Sequence, residues 1–96
     1  MTLHTLNASP ASAAFADCLA MLAAGDVLLL LGDGVYAALA GTGARTQLDA
    51  CGARLCLLRE DAAAAGILAR VAGAEVIDID GFVALSEQFP RQLAWY

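Results

Sequence analysis

At 96 residues the chain has a single-domain length, with no room for a separate catalytic domain. Hydrophobic residues make up 60% of it, yet the longest strongly apolar run, Val27 to Leu31, falls far short of the roughly 20 residues that a membrane-spanning helix needs. The net charge is −5 and the five basic residues, Arg45, Arg54, Arg59, Arg70 and Arg91, are dispersed, which excludes a phosphate-binding patch and makes any contact with RNA indirect.

Leu3 to Leu6 reads as a short strand, and Asn7-Ala8-Ser9-Pro10 then predicts a helix start with Ser9 as N-cap and Pro10 at the first helical position. Phe15, Cys18, Leu19 and Leu22 recur at helical spacing, and Gly25 supplies the stop. Val27 to Leu31 does not alternate, as expected of a parallel strand covered on both faces. Gly32-Asp33-Gly34 turns the chain, Val35 to Leu39 opens a second helix, and Gly41-Thr42-Gly43 interrupts it. Ala44 to Cys51 is compatible with a helix that Gly52 ends, and Leu55 to Leu58 forms another buried strand. Glu60-Asp61 opens an Ala-rich helix that Gly66 breaks, with Ile67 to Val71 as an extension. Glu75 to Ile79 reads as a fourth strand, Asp80 caps a helix over Gly81 to Gln88, and Pro90 closes that helix before an extended tail.

The order β-α-β-α-β-α-β-α-β predicts one α/β domain over residues 1–96, a mostly parallel sheet with helices on both faces, because right-handed crossovers put them there. Sites in such sheets gather at the carboxyl ends of the strands. That points to the loops at Gly32-Asp33-Gly34, Arg59-Glu60-Asp61 and Asp80-Gly81.

Cys18, Cys51 and Cys56 form an odd set without a Cys-x-x-Cys pair, which argues against a disulfide framework and a zinc site. Met1 to Thr5 carries no basic segment followed by a long apolar core, so the expected compartment is the cytoplasm. The spacing of Cys18 from Phe15 and Leu22 puts it on or beside a buried helix face, where thiols are usually inert. Cys51 near a helix C-terminus and Cys56 within an apolar strand read as structural.

His4 is the only histidine, so any Cys-His or Ser-His mechanism would have to use it; a hydrogen-bonded structural role is the simpler reading. No Gly-x-Ser-x-Gly elbow occurs. Gly32-Asp33-Gly34 lacks the spacing of a nucleotide loop and reads as a tight turn capped by Asp33. Asp78 and Asp80 stand two apart, which makes a metal pair conceivable, but a helix cap at Asp80 explains them more simply. Trp95 and Tyr96 are expected to pack or to meet a partner. With Val27 to Leu31 and Ala94-Trp95-Tyr96 the chain has more apolar surface than so small a domain hides, which predicts an oligomer.

Leu3-His4-Thr5-Leu6-Asn7 with Ser9-Pro10, Leu30 to Ala38, Glu60-Asp61 with Ala65-Gly66, Asp80-Gly81-Phe82-Val83, and Gln92-Leu93-Ala94-Trp95 follow one another through essentially the whole chain. In order and spacing these segments resemble the DsrH/TusB family of sulfur-relay subunits. The resemblance implies a DsrE/F/H-like three-layer fold and a place in a heterohexamer with TusC/DsrF-like and TusD/DsrE-like subunits. It further implies that the complex takes persulfide sulfur from a TusA-like donor and passes it to a TusE/DsrC-like acceptor. In most bacteria the route serves 2-thiolation of the tRNA wobble uridine; in sulfur oxidisers the related complex serves dissimilatory metabolism. The main sulfur-bearing cysteine belongs to the TusD/DsrE-type partner, so this chain is expected to be a noncatalytic accessory subunit that needs no cofactor. Some members carry a cysteine in the first helix where Cys18 stands, which makes Cys18 a candidate sulfur-handling thiol and direct persulfide carriage the alternative.

Overall fold

The computed structural model describes all residues from Met1 to Tyr96. Strands β1 (Leu3–Leu6), β2 (Val27–Leu30), β3 (Arg54–Leu58), β4 (Glu75–Ile77) and β5 (Gln92–Trp95) form one sheet in the order β4-β3-β2-β1-β5. Every neighbouring pair is parallel, as an alternating chain of strands and helices requires. The helices are α1 (Ala13–Met21), α2 (Gly43–Asp49), α3 (Arg59–Ala64) and α4 (Ile79–Gln88), with 310 turns at Gly32–Ala38 and Leu68–Arg70.

The parallel register divides the side chains between two faces. His4, Leu28 and Leu55 stand abreast, as do Leu6, Leu30 and Leu57. These rows face the larger core, where Phe15 and Cys18 of α1, Val35, Ala37 and Ala38 of the first 310 turn, Leu48 of α2 and Ala62 of α3 cover them. The alternate positions Leu3, Val27, Leu29 and Cys56 face a smaller core closed by Leu85, with Phe82 and Phe89 beside it. The first three crossovers step the same way along the sheet, whereas the fourth returns from β4 at one edge to β5 at the other. A right-handed return lies on the opposite face, which is why α4 stands there alone. Leu3, Leu6, Leu28, Leu29, Leu30 and Leu57 are wholly buried, each contributing about 1.5–3 kcal/mol.

Local chemistry moves several boundaries. Ser12, not Ser9, caps α1: its Oγ accepts from the Phe15 N–H at 3.1 Å, while the Ser9 carbonyl accepts from both the Ser12 N–H and hydroxyl in the preceding turn. The predicted helix over Val35 to Leu39 is a 310 turn that starts earlier, at Gly32, and packs against α3 and β2, with Gly34 close to the end of β1. Gly34 makes this possible, because a Cβ there would collide with the Leu6 carbonyl oxygen. Asp33 does not cap that turn; the Gly32 N–H donates instead to Asp61 Oδ2 at 2.7 Å, across from α3. Leu68–Arg70 is a separate 310 turn rather than an extension of α3, since Gly66 at φ +73° breaks the helix. β4 stops at Ile77 because Asp78 Oδ1 accepts from the Gly81 N–H at 2.8 Å and caps α4, which places Asp80 inside the first turn and not at the cap.

The apolar run counted toward an exposed surface is buried: Val27 to Leu30 form the central strand and Leu31 is half-buried. Tyr96, counted with it, does reach solvent, as do Leu93 at the β5 edge and Ile79 and Val83 on α4.

Candidate functional site

Three side chains distant in sequence meet where β1 passes between β2 and β5. Asp26, just before β2, is an acceptor for three donors: the Thr2 N–H on Oδ1 at 2.9 Å, and His4 Nε2 at 3.0 Å with the Ala23 N–H at 3.1 Å on Oδ2. Trp95 of β5 donates its indole N–H to His4 Nδ1 at 3.1 Å, and the two rings meet edge to edge, 16° from coplanar with their centroids 6.3 Å apart. An indole nitrogen can only donate, so Nδ1 is the acceptor and Nε2 carries the proton that goes to Asp26. Burial pushes the Asp26 carboxyl up, but the bonds from His4, Thr2 and Ala23 outweigh it and hold the group below the ordinary carboxylate range. No cysteine or serine side chain bonds to His4, and both its nitrogens are engaged, so the pair has no nucleophile to activate. The expected structural role of His4 is what the geometry displays: it fastens the C-terminal strand to the centre of the sheet.

The thiols are packed unequally. Cys18, the candidate sulfur-handling residue, is 1% exposed in the larger core, and burial followed by the nearby charge of Cys51 pushes its thiol up to about 11. Cys56 is wholly buried in the smaller core. Burial, then the charge of Glu75, pushes it up to about 11 as well. Glu75 is gripped by Arg54 through two bonds of 2.8 and 2.7 Å, and Cys56 Sγ lies 3.7 Å from its Oε2. Hydrogen bonding to Arg54 outweighs burial and keeps the Glu75 carboxyl low. Cys51 is half-exposed beyond the end of α2, its Sγ 3.3 Å from the Gln47 carbonyl oxygen.

At the carboxyl ends of the strands the structure brings together two of the three loops singled out in the sequence. Gly32-Asp33 and Asp61 border a depression of about 230 Å³, with Tyr36 at its rim. Asp61 is occupied by the Gly32 N–H, which leaves a closed turn rather than a phosphate cradle. The third loop, Asp78 to Gly81, caps α4, and Asp78 and Asp80 are joined by no further His, Cys or acidic residue within reach of a common ion. A broader open groove of about 760 Å³ runs between the starts of α1 and α2, floored by Phe15 and edged by Pro10 and Gln47. Arg45 closes the core next to it: 7% exposed, it donates to the carbonyls of Ala38 at 2.6 Å and Ala72 at 2.7 Å and to Asp49 at 3.0 Å.

Fold and site together define a small, wholly parallel α/β domain whose buried polar groups are spent on holding strands and turns. Of its three thiols two are sealed in the core, and its one histidine is saturated with hydrogen bonds. The family described as DsrH like protein matches residues 8–92, and the chain belongs to this family of sulfur-relay subunits. No curated protein matches the chain significantly.

The missed features are long-range ones. Asp26 gave a signal, as an acidic residue directly before the most apolar strand, where only a buried partner such as His4 makes its burial tolerable. The Trp95 to His4 bond spans 91 positions and left no local trace.

Proposed function

We propose that this chain is the accessory, noncatalytic subunit of a cytoplasmic sulfur-relay complex, held in a heterohexamer with TusC/DsrF-like and TusD/DsrE-like partners. The complex takes persulfide sulfur from a TusA-like donor and passes it to a TusE/DsrC-like acceptor, for 2-thiolation of the tRNA wobble uridine. The observation that carries this reading is the family match over residues 8–92. The packing of the thiols supports it, since a persulfide carrier needs an accessible thiolate and Cys18 has neither access nor an easily formed one. Exposed Ile79 and Val83, one turn apart on α4, and Leu93 and Tyr96 at the sheet edge suit a subunit that neighbours cover.

Coexpression with the two partner types, one of them tagged, tests the assembly; the chain is expected to copurify in equal proportion to both. Deleting its gene should abolish tRNA 2-thiouridine, and unchanged thiolation would defeat the tRNA assignment in favour of dissimilatory sulfur oxidation. Mass spectrometry after incubation with a persulfide donor addresses Cys18. One added sulfur on that residue would make the chain a carrier itself.

A further inference from the structure

We propose that Cys51 and Cys18 form a redox pair, in which a low-molecular-weight disulfide reacts first at Cys51 and Cys18 then resolves the mixed disulfide into an intramolecular Cys18–Cys51 bond. The inference concerns thiol oxidation of this chain and does not depend on the sulfur-relay reading.

Three cysteines allow three pairings, and the sheet leaves one. Cys56 points from β3 into the smaller core beneath α4. Cys18 lies in the larger core on the opposite side, and Cys51 follows α2, whose Leu48 packs into that same core. The sheet therefore separates Cys56 from both other thiols. Cys18 and Cys51, by contrast, stand near the ends of two helices on one face. The segments after these helices touch: a Cβ on Gly52, next to Cys51, would lie 3.5 Å from the Ala24 methyl, just beyond α1. The two sulfurs are close enough that the charge of Cys51 adds to burial in disfavouring a thiolate at Cys18.

Exposure sets the order of events. Cys51 alone is open to solvent, so the oxidant meets it first. Its thiolate attacks one sulfur of oxidised glutathione, forming a Cys51–glutathione disulfide and expelling one glutathione thiolate. Cys18, after losing its proton, attacks the Cys51 sulfur from inside the protein. The Cys18–Cys51 bond forms, the Cys51–glutathione bond breaks, and the second glutathione leaves as a thiolate that takes up a proton. Two cysteine thiols are oxidised and one external disulfide is reduced to two thiols. Cys18 needs no access to solvent for this, because its electrophile is delivered next to it.

Trypsin makes the test clean, since cleavage after Arg45, Arg54 and Arg59 puts Cys18, Cys51 and Cys56 on separate peptides, 1–45, 46–54 and 55–59. The folded full-length chain is incubated with oxidised glutathione, quenched with acid, alkylated and digested without reductant. The expected product is peptide 1–45 linked to 46–54, two hydrogen masses lighter than the pair of free thiol peptides. Closure passes through the Cys18 thiolate, so its rate should rise roughly 100-fold between pH 7 and pH 9. Cys18→Ala should stop at glutathione on peptide 46–54, Cys51→Ser should give neither product, and Cys56→Ser should behave as the parent chain. The wild-type map decides even if a core variant folds poorly. A mixed disulfide at Cys51 that persists at pH 9, or a link that includes peptide 55–59, overturns the proposal.

Discussion

Replacing Asp26 by Asn tests the polar hub with almost no change of shape. The carboxylate gives Oδ1 to the Thr2 N–H and Oδ2 to both His4 Nε2 and the Ala23 N–H. A carboxamide can keep its oxygen at only one of these places. With the oxygen toward His4 and Ala23, its NH2 faces the Thr2 N–H, donor against donor. One charge-assisted bond of about 1.5–3 kcal/mol is lost and two others weaken, so the expected cost is about 2–4 kcal/mol. Against a total stability of about 5–15 kcal/mol this is large, and it corresponds to a fall in Tm of about 10–25 °C. The substitution should also change the pH profile. Asp26 has its folded-state pKa depressed below the ordinary 3.8, so its stabilisation is fully present above that value and is lost as pH falls through the lower, folded-state one. Urea midpoints of the parent and Asp26→Asn chains, measured from pH 7 down to about pH 2, should therefore stay far apart above pH 3.8 and converge only below it. A loss below 1 kcal/mol at pH 7, or two curves that stay parallel down the acid limb, would refute the reasoning.

Trp95→Phe keeps an aromatic ring beside His4 but removes the indole donor; it should cost about 0.5–1.5 kcal/mol and speed amide exchange across Gln92–Trp95 more than elsewhere, as hydrogen-exchange mass spectrometry would record. Arg45→Met strips the Ala38 and Ala72 carbonyls of their buried donor at an expected 2–4 kcal/mol, roughly, in urea unfolding, and Arg45→Lys should recover only part because it lacks the fork. N-ethylmaleimide should alkylate Cys51 at least about 100-fold faster than Cys18 or Cys56 in the folded chain, with the difference vanishing in denaturant; fast native labelling of Cys18 would contradict its burial.

The parallel α/β class was legible because Val27 to Leu30 is apolar at every position, which only a strand covered on both faces needs. Pro90 likewise announced the end of α4 ahead of β5. Capping residues were harder, since Ser9 and Ser12, or Asp78 and Asp80, are equally good chemically; the choice falls to the turn that lets Ser12 accept from Phe15 and Asp78 from Gly81. Val35 to Leu39 reads as the opening of an ordinary helix because the constraint that makes it part of a 310 turn from Gly32, the close approach of Gly34 to Leu6, belongs to a neighbouring strand. For the site, composition shows His4 to be the only histidine, which made a structural role the simpler reading; its isolation from any nucleophile appears only in the fold. Its actual partners lie 22 and 91 positions away, and no pattern of local periodicity encodes them.

The last strand lies beside the first, with Leu3 opposite Gln92 and Leu6 opposite Trp95. A growing polypeptide thus cannot zip up its sheet from one side while it leaves the ribosome. Through the synthesis of residues 7–91 the first strand keeps one bare margin, and His4 waits without its indole. Closure is a late event in the life of each molecule, and until then that margin is open to whatever strand arrives first.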